Sequence, residues 1–517
     1  MAEIDFKKLQ NGSDIRGVAL EGVAGERPNL TAAEAEKLAA GFVLWLSEKT
    51  GKKADELKVS IGRDPRLSGE ALLAGAVNGM LPWGTGVYDC GLASTPAMFM
   101  STVFPQYACD GAVMITASHL PFNRNGFKFF DRDGGLNKGD IAAILAFAEA
   151  GRTPEKAVRE GTLEPSALME DYSAFLRDKI KDGVAQAAGA GGAADREKPL
   201  AGLKITVDAG NGAGGFYAEK VLAPLGADVS GSQFLEPDGR FPNHAPNPED
   251  RAAIHAVSEA VRKNGSDFGL IFDTDVDRSS AVDQYGREIN RNGIVAMAAA
   301  LVAEEHPGTT VVTDSITSDQ LTEFLEVDLG LRHRRFKRGY KNVINEAIRL
   351  NAEGTDCQLA IETSGHAALA ENYFLDDGAY LATKIVIKAA KLALEGKKLD
   401  SVIAGLTEPA EAVEVRFPIL AENFGAYGDR VLEDLMRFVK EEGAQAGMTP
   451  VEPNYEGVRI SFDKAHGDGW CLLRKSLHDP IMPLNIESNE PGGCGKIADV
   501  LRGFLTAYGE LDTSKLC

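Results

Sequence analysis

Short apolar, β-branched runs alternate with longer amphipathic segments along most of this chain, and no other feature limits its possible folds as tightly. The runs lie at 57–61, 111–115, 204–207, 269–272, 309–312 and 358–361, and most are followed by Gly, Asp, Ser or Thr. Amphipathic stretches such as 32–48 and 294–304 lie between them, a period switch from strand to helix that predicts βαβ units and hence α/β layers. The last hundred residues read differently, with strands at 412–417, 457–462, 470–473 and 484–488 and helices near 425–443 and 495–508, which predicts a separate α+β domain. At 517 residues the chain exceeds what one core supports, so several domains are expected. The Ala/Gly-rich stretch 184–194 has almost no large apolar side chain to bury and is read as a flexible connection between packed units.

Charge narrows the function. Lys and Arg number 55 against 76 Asp and Glu, a net charge of −21 that repels polyanions, so nucleic acid is not an expected partner. No run of about 18 apolar residues is present, so no membrane span is expected either. Six scattered cysteines without a C-x-x-C pair fit free thiols in a reducing compartment, and a cytoplasmic location is expected.

Four segments carry chemistry. The first, Thr116-Ala117-Ser118-His119 continuing to Lys128, follows an apolar strand, and it sets a hydroxyl beside the base and cation that a serine nucleophile needs. In the second, Asp273, Asp275 and Asp277 follow another apolar strand and are closed by Arg278. Carboxylates at i, i+2 and i+4 repel unless a cation sits among them, and an all-oxygen set suits magnesium. On an extended chain all three would face one side. The third, Glu362-Thr363-Ser364-Gly365-His366, alternates acceptor, hydroxyl and imidazole in a pattern suited to sugar hydroxyls, with Asp376, Asp377 and Gly378 downstream. The fourth, Arg474-Lys475-Ser476-Leu477-His478, reads as an anion-binding loop between strands. A Gly-rich turn at 210–215 lacks G-x-G-x-x-G spacing and is read as a tight strand-to-helix turn.

In this order the segments resemble the α-D-phosphohexomutase family of phosphoglucomutases and phosphomannomutases. The serine loop matches T-A-S-H-N-P-x-x-x-N-G-x-K except at Leu120, and the metal loop matches D-G-D-x-D-R with Thr274 for Gly. The sugar loop matches G-E-x-S-G-H with Ile361 for the first Gly. Asp14 to Gly17, Gly62-Arg63-Asp64 with Arg66, Thr95-Pro96, Asp208 to Gly212, and Phe241-Pro242-Asn243-His244 with Pro246-Asn247-Pro248 also match. The fourth loop departs most: Leu477, His478 and Asp479 replace G/N, T and E, and Pro483 stands where a second Arg belongs.

The resemblance implies three related α/β domains plus a smaller α+β C-terminal domain around a central cleft. Expected bounds are 1–183 with the phosphoserine loop, 199–305 with the metal loop, 306–411 with the sugar loop and 412–517 with the phosphate loop. It implies a mutase that interconverts hexose 1- and 6-phosphates of glucose or mannose through phosphorylated Ser118 and a hexose 1,6-bisphosphate, which also serves as activator. Mg2+ would be held by Ser118, Asp273, Asp275 and Asp277. Arg16, His119 and Lys128 would assist transfer, with His119 or Lys128 shuttling the proton. Arg278, Glu362, Ser364, His366, Arg474, Ser476 and His478 would bind substrate, together with Lys337 or Lys341, which flank Gly339 at positions used in different family branches. His478 would compensate for the missing Arg. Leu120 and Pro483 motivate an alternative, a sugar-phosphate-binding regulator without turnover, and the Gly-rich turn a more distant one, a dinucleotide-dependent oxidoreductase.

Overall fold

Side-chain alternation and capping explain most element ends in the computed structural model, which describes residues 4–188, 196–476 and 479–516. The helix Ala32–Thr50 starts at a Thr31/Glu34 capping box and stops at Gly51, whose φ of 71° ends the helical turn. Two compact units are present. One comprises residues up to Glu305 with Gln358–Ala360 and Ser364–Ala404; the other comprises His306–Cys357, Ile361–Thr363 and the chain from Gly405.

In the first unit, a mixed eight-stranded sheet runs, in spatial order, Gln10–Asn11, Asp14–Val18, Arg124–Asp131, Gly111–Ile115, Lys58–Arg63, Gly86–Leu92 and Leu163–Pro165, with Gly134–Gly135 off its side. Gly111–Ile115 is parallel to Lys58–Arg63 but antiparallel to Arg124–Asp131, so the serine segment is the loop of a hairpin rather than of a βα crossover. Phe42, Leu46, Ile61, Val113, Phe127, Phe129 and Ile144 pack into the core beneath it. A second sheet, ordered Glu288–Ile289, Ser279–Val282, Phe268–Phe272 and Ile205–Asp208, holds the three-Asp segment in the hairpin between Phe272 and Ser279. The hairpin Ala367–Leu369/Leu375–Asp376 and the helix Gly378–Leu394, capped by Asp377, complete this unit.

In the second unit, Thr310–Thr313 pairs in parallel with Arg332–Arg335, and the helix Tyr340–Ala352 follows. The C-terminal region forms an antiparallel sheet ordered Glu411–Pro418, Ile481–Ser488, Gly469–Leu473, Val458–Phe462 and Met448–Pro450, covered by the helices Phe424–Glu441 and Gly493–Leu505. Four of these strands and both helices are those expected from sequence, within a residue or a few at each end; the edge strand Met448–Pro450 was not expected.

The expected flexible connection begins differently. The helix Leu168–Ala188 continues through Val184, which is buried, so small residues here extend a helix instead of ending it; positions 189–195 lie outside the described residues. Cys90, Cys109, Cys357, Cys471 and Cys494 are buried free thiols. No helix among the described residues is long and apolar enough to cross a membrane.

Candidate active site

Ser118 sits at the turn out of the Gly111–Ile115 strand with φ of 48°, a left-handed conformation that a non-glycine residue holds only when its surroundings enforce it. The enforcing groups are visible. Its N–H donates to Thr116 Oγ1 at 2.9 Å, and Thr116 Oγ1 donates to Asp64 Oδ2 at 2.7 Å. The buried Arg66 spends all five N–H donors here: Nε on Asp64 Oδ2, Nη1 on the carbonyls of Pro121 and Arg124, and Nη2 on those of Ser118 and Leu120. Arg16 bonds Asp14 and the Thr116 carbonyl. Sequence reading matched Asp64 and Arg66 to a family pattern without assigning them work; the signal was a polar pair directly after a buried strand.

The Ser118 hydroxyl donates to Asp273 Oδ2 at 3.1 Å, accepts from Arg278 Nη2 at 3.2 Å, and lies 3.4 Å from His119 Nδ1. Arg278 Nη2 also donates to His119 Nδ1 at 2.9 Å, which makes this ring nitrogen an acceptor. Burial, then the charges of Arg278 and Arg16, push His119 down to about 3, so its ring is neutral.

Asp273, Asp275 and Asp277 are fully buried and converge, with oxygens within 4.8 Å of one another. They do so through a turn with Val276 at φ 66°, not along the extended chain that the i, i+2, i+4 spacing predicted. A turn folds the chain back so that carboxylates meet at a point, whereas an extended strand would space them along a line. Burial and the two neighbouring carboxylates push Asp273 well above the usual range. Burial acts the same way on Asp277, but Lys128, His366 and Arg278 outweigh it and hold this carboxyl below the usual range. Lys128 is paired with Asp277 and lies 3.7 Å from Asp275, so it is a fixed ammonium. Thr95 Oγ1 donates to Asp275 Oδ2 at 2.5 Å, a contact the sequence reading did not anticipate. Asp275 Oδ1 and Asp277 Oδ1 are buried without a hydrogen-bond partner among the described residues, and such carboxylate oxygens in an all-oxygen cluster fit a metal ion.

The Gly-rich turn supports this loop. Ala213 N–H donates to the Thr274 carbonyl at 2.8 Å, and a Cβ on Gly212 would come within 2.8 Å of that same oxygen. His366 enters the first unit by pairing its backbone with Arg278. Its ring bonds Asp376 and lies 3.9 Å from Asp277. Burial would lower its pKa, but Asp376 and Asp277 raise it to about 9. Glu362 and Thr363 belong to the second unit, where Glu362 accepts the Gly339 N–H at 2.6 Å and Thr363 donates to Asp314 at 2.9 Å. Gly365, at φ 92°, turns the chain between Ser364 and His366. Ser364 is buried.

Also in the second unit, Lys337 is exposed and Lys341 half-buried on the first turn of its helix. Arg474 is buried, with Nε facing no hydrogen-bond partner among the described residues. Burial and then Arg338 lower its pKa, against Glu456, Glu414 and Asp314. Ser476 Oγ accepts the Asp479 N–H at 3.2 Å. Leu477 and His478 lie outside the described residues, and the compensating role expected of His478 with them.

Models of the phosphoglucomutase/phosphomannomutase α/β/α domains I, II and III match residues 7–154, 186–286 and 290–409. The chain belongs to the phosphoglucomutase/phosphomannomutase family. It is 28% identical over 469 residues to a phosphomannomutase/phosphoglucomutase of Pseudomonas putida, covering 90% of this chain and 91% of the relative. It is 29% identical over 508 residues to a phosphoglucosamine mutase of Corynebacterium jeikeium, covering 96% and 98%. A solved phosphoglucomutase/phosphomannomutase family protein from Burkholderia thailandensis shares the fold, with a TM-score of 0.77 at 24% identity over 98% of each chain. The protein is thus a phosphohexomutase, and nothing favours the regulator without turnover.

One buried pair of this phosphohexomutase carries a pH signature. His244 directs Nε2 at Asp208 Oδ1, 3.0 Å away, and Nδ1 at the Ala245 carbonyl, 2.9 Å away. Burial would lower its pKa, but Asp208, then the Ala245 carbonyl and Asp250, raise it above the ordinary histidine value of 6.5. A raised histidine adds stability that is fully present below its unfolded pKa and is lost as pH rises through its folded pKa. The melting-temperature difference between wild type and His244→Gln should therefore shrink as pH increases above 6.5. A difference that stays constant across that range would show the pair to be neutral.

Proposed function

We propose that this protein interconverts hexose 1-phosphates and hexose 6-phosphates of glucose and mannose, with Ser118 as the phosphoryl carrier. The observation that supports this most directly is the setting of Ser118 Oγ, held within hydrogen-bond reach of Asp273 and Arg278. Phosphorylated Ser118 loses its P–Oγ bond as a substrate hydroxyl oxygen forms its own bond to phosphorus, giving a hexose 1,6-bisphosphate. That intermediate, which is also the activator, reorients and returns its other phosphate to Ser118.

Asp273, Asp275 and Asp277, with an oxygen at Ser118, would hold Mg2+, which supplies charge stabilisation at the transferring group. Arg278, Arg16 and Lys128 contribute fixed positive charge to a centre that becomes more anionic. His119 or Lys128 would shuttle the proton between the substrate hydroxyl and Ser118 Oγ; His119 Nδ1 lies 3.4 Å from Ser118 Oγ, and Lys128 is paired with Asp277. Glu362, Ser364 and His366, with Lys337 or Lys341, bind the sugar in either orientation. Arg474 and Ser476 hold the distal phosphate; Arg474 Nε, buried and without a hydrogen-bond partner among the described residues, supports that role. We place this chemistry in the cytoplasm, without nucleic-acid or membrane partners.

The test has two parts. Coupled assays with glucose, mannose and glucosamine 1-phosphates, magnesium and the matching bisphosphate should show turnover, greatest for glucose or mannose. Intact mass before and after phosphatase, with peptide mapping, should locate phosphate on Ser118, since a cationic site stabilises a dianion. An active preparation with phosphate mapped only elsewhere would overturn the Ser118 assignment.

A further inference from the structure

Arg278 is the only side chain described that touches Ser118 Oγ, His119 and Asp273 together, and its fourth contact leads away from them. Nη1 donates to Asn247 Oδ1 at 3.0 Å. The same oxygen accepts the Glu249 N–H at 3.1 Å, so the Asn247 amide is pinned with its acceptor toward the guanidinium. Asn247 lies on an irregular loop, Phe241 to Pro248, which no sheet or helix holds in place. Side chains hold it instead. Asn243 Nδ2 donates to Asn211 Oδ1 at 2.8 Å, and His244 is clasped by Asp208.

That clasp is built to be rigid. Both His244 ring nitrogens face oxygens that can only accept, a carbonyl and a carboxylate, so geometry alone calls for an imidazolium with two donors. Asp208 is fully buried and is fixed in turn by the Gly210 N–H at 2.9 Å and Gln233 Nε2 at 2.7 Å. It ends the Ile205–Asp208 strand, opposite Ile271 on the strand that delivers the three-Asp turn. Gly210 leaves room for the loop: a Cβ there would come within 3.1 Å of the His244 ring and 3.0 Å of Pro246.

We infer that Asn247 is a positioning residue for phosphoryl transfer: anchored through the His244–Asp208 clasp, it sets the rotation of the Arg278 guanidinium so that Nη2 points at Ser118 Oγ. A guanidinium is planar and held at Nε by Asp273, so fixing Nη1 fixes the direction of Nη2. Without Asn247 the plane loses its Nη1 anchor and is held only at Nε by Asp273 and at Nη2 by the Ser118 and His119 groups it has to serve. The inference rests on the reading of Ser118 as the carrier.

The experiment compares Asn247→Ala and Asn247→Asp with wild type, each also in an Arg278→Lys background. Asn247→Ala should lower kcat by about 10-fold to 100-fold, as a misaligned group does, with KM within about twofold. Asn247→Asp keeps both accepted hydrogen bonds and should recover most of the loss. With Arg278→Lys, which has no fork to orient, Asn247→Ala should cost little more, because coupled residues are non-additive. Melting temperature is read alongside; if Asn247→Ala does not fold, Asn247→Ser is measured on the same axes. A folded Asn247→Ala with wild-type kcat would overturn the inference. So would equal losses in the Ala and Asp variants, or an undiminished loss in the Arg278→Lys background. A wild type without mutase activity on any of the three sugar phosphates would fail the functional reading instead, which keeps the two failures distinct.

Discussion

Asp275→Asn is expected to lower turnover by about 100-fold to 1000-fold, the scale seen when one preorganised electrostatic group is removed from a polar transition state, while leaving the protein as stable as wild type or more so. Stability follows from what the carboxylate does in the absence of a cation. Asp275 lies in a fully buried cluster with Asp273 and Asp277, and its carboxylate is one of the charges that push Asp273 up. Neutralising it removes repulsion. The amide oxygen of Asn can still accept from Thr95 Oγ1, so the 2.5 Å hydrogen bond is kept and only the orphaned Oδ1 is replaced. Activity falls because a neutral amide is a weaker ligand for a hard cation and one negative charge is gone. The check is kcat across a magnesium titration, paired with melting temperature in chelator. Near wild-type activity at limiting magnesium would rule out a ligand role for Asp275, and a large drop in melting temperature would show it to be structural.

Arg66→Met should produce the largest loss of stability among the site variants, about 3 to 5 kcal/mol, the cost of breaking a buried ion pair by removing one partner. The substitution removes the cation facing the fully buried Asp64 and strips partners from four carbonyls of the serine loop. Ser118 is held in a left-handed conformation partly by this splint, so the loop should also relax and kcat should fall in the fraction that folds. Arg66→Lys, with three donors on a rotatable head, cannot reach the same carbonyls as a planar fork and should rescue only part of the loss. Denaturant midpoints and kcat for both variants provide the check. A midpoint for Arg66→Met close to wild type would show that the loop is self-supporting.

Much of the fold was legible because burial periodicity is local. Gly111–Ile115 and Phe268–Phe272 are continuous apolar runs of five, and they are central strands with every residue buried. Strand direction was not legible. The serine and three-Asp segments follow the strand-then-turn pattern of a βα unit, yet each closes an antiparallel hairpin with Arg124–Asp131 or Ser279–Val282, strands whose polar ends at the site hide them from a reading of apolar runs. A buried polar strand end is chosen by what it must touch, which composition does not reveal.

The candidate groups were legible in sequence alone: Ser118, Lys128 and Asp273, Asp275 and Asp277 stand next to apolar runs, and spacing along a loop is covalent. Their states and partners were settled by tertiary structure. Lys128 is an ammonium bound to Asp277, across 149 positions of chain. His119 is neutral because of burial and then the charge of Arg278, which donates to it across 159 positions. Arg66 became the splint of a loop it precedes by some fifty residues. Such pairings depend on which strands lie side by side and on how far burial strips water from each charge, and both are properties of the packed sheets rather than of any one segment.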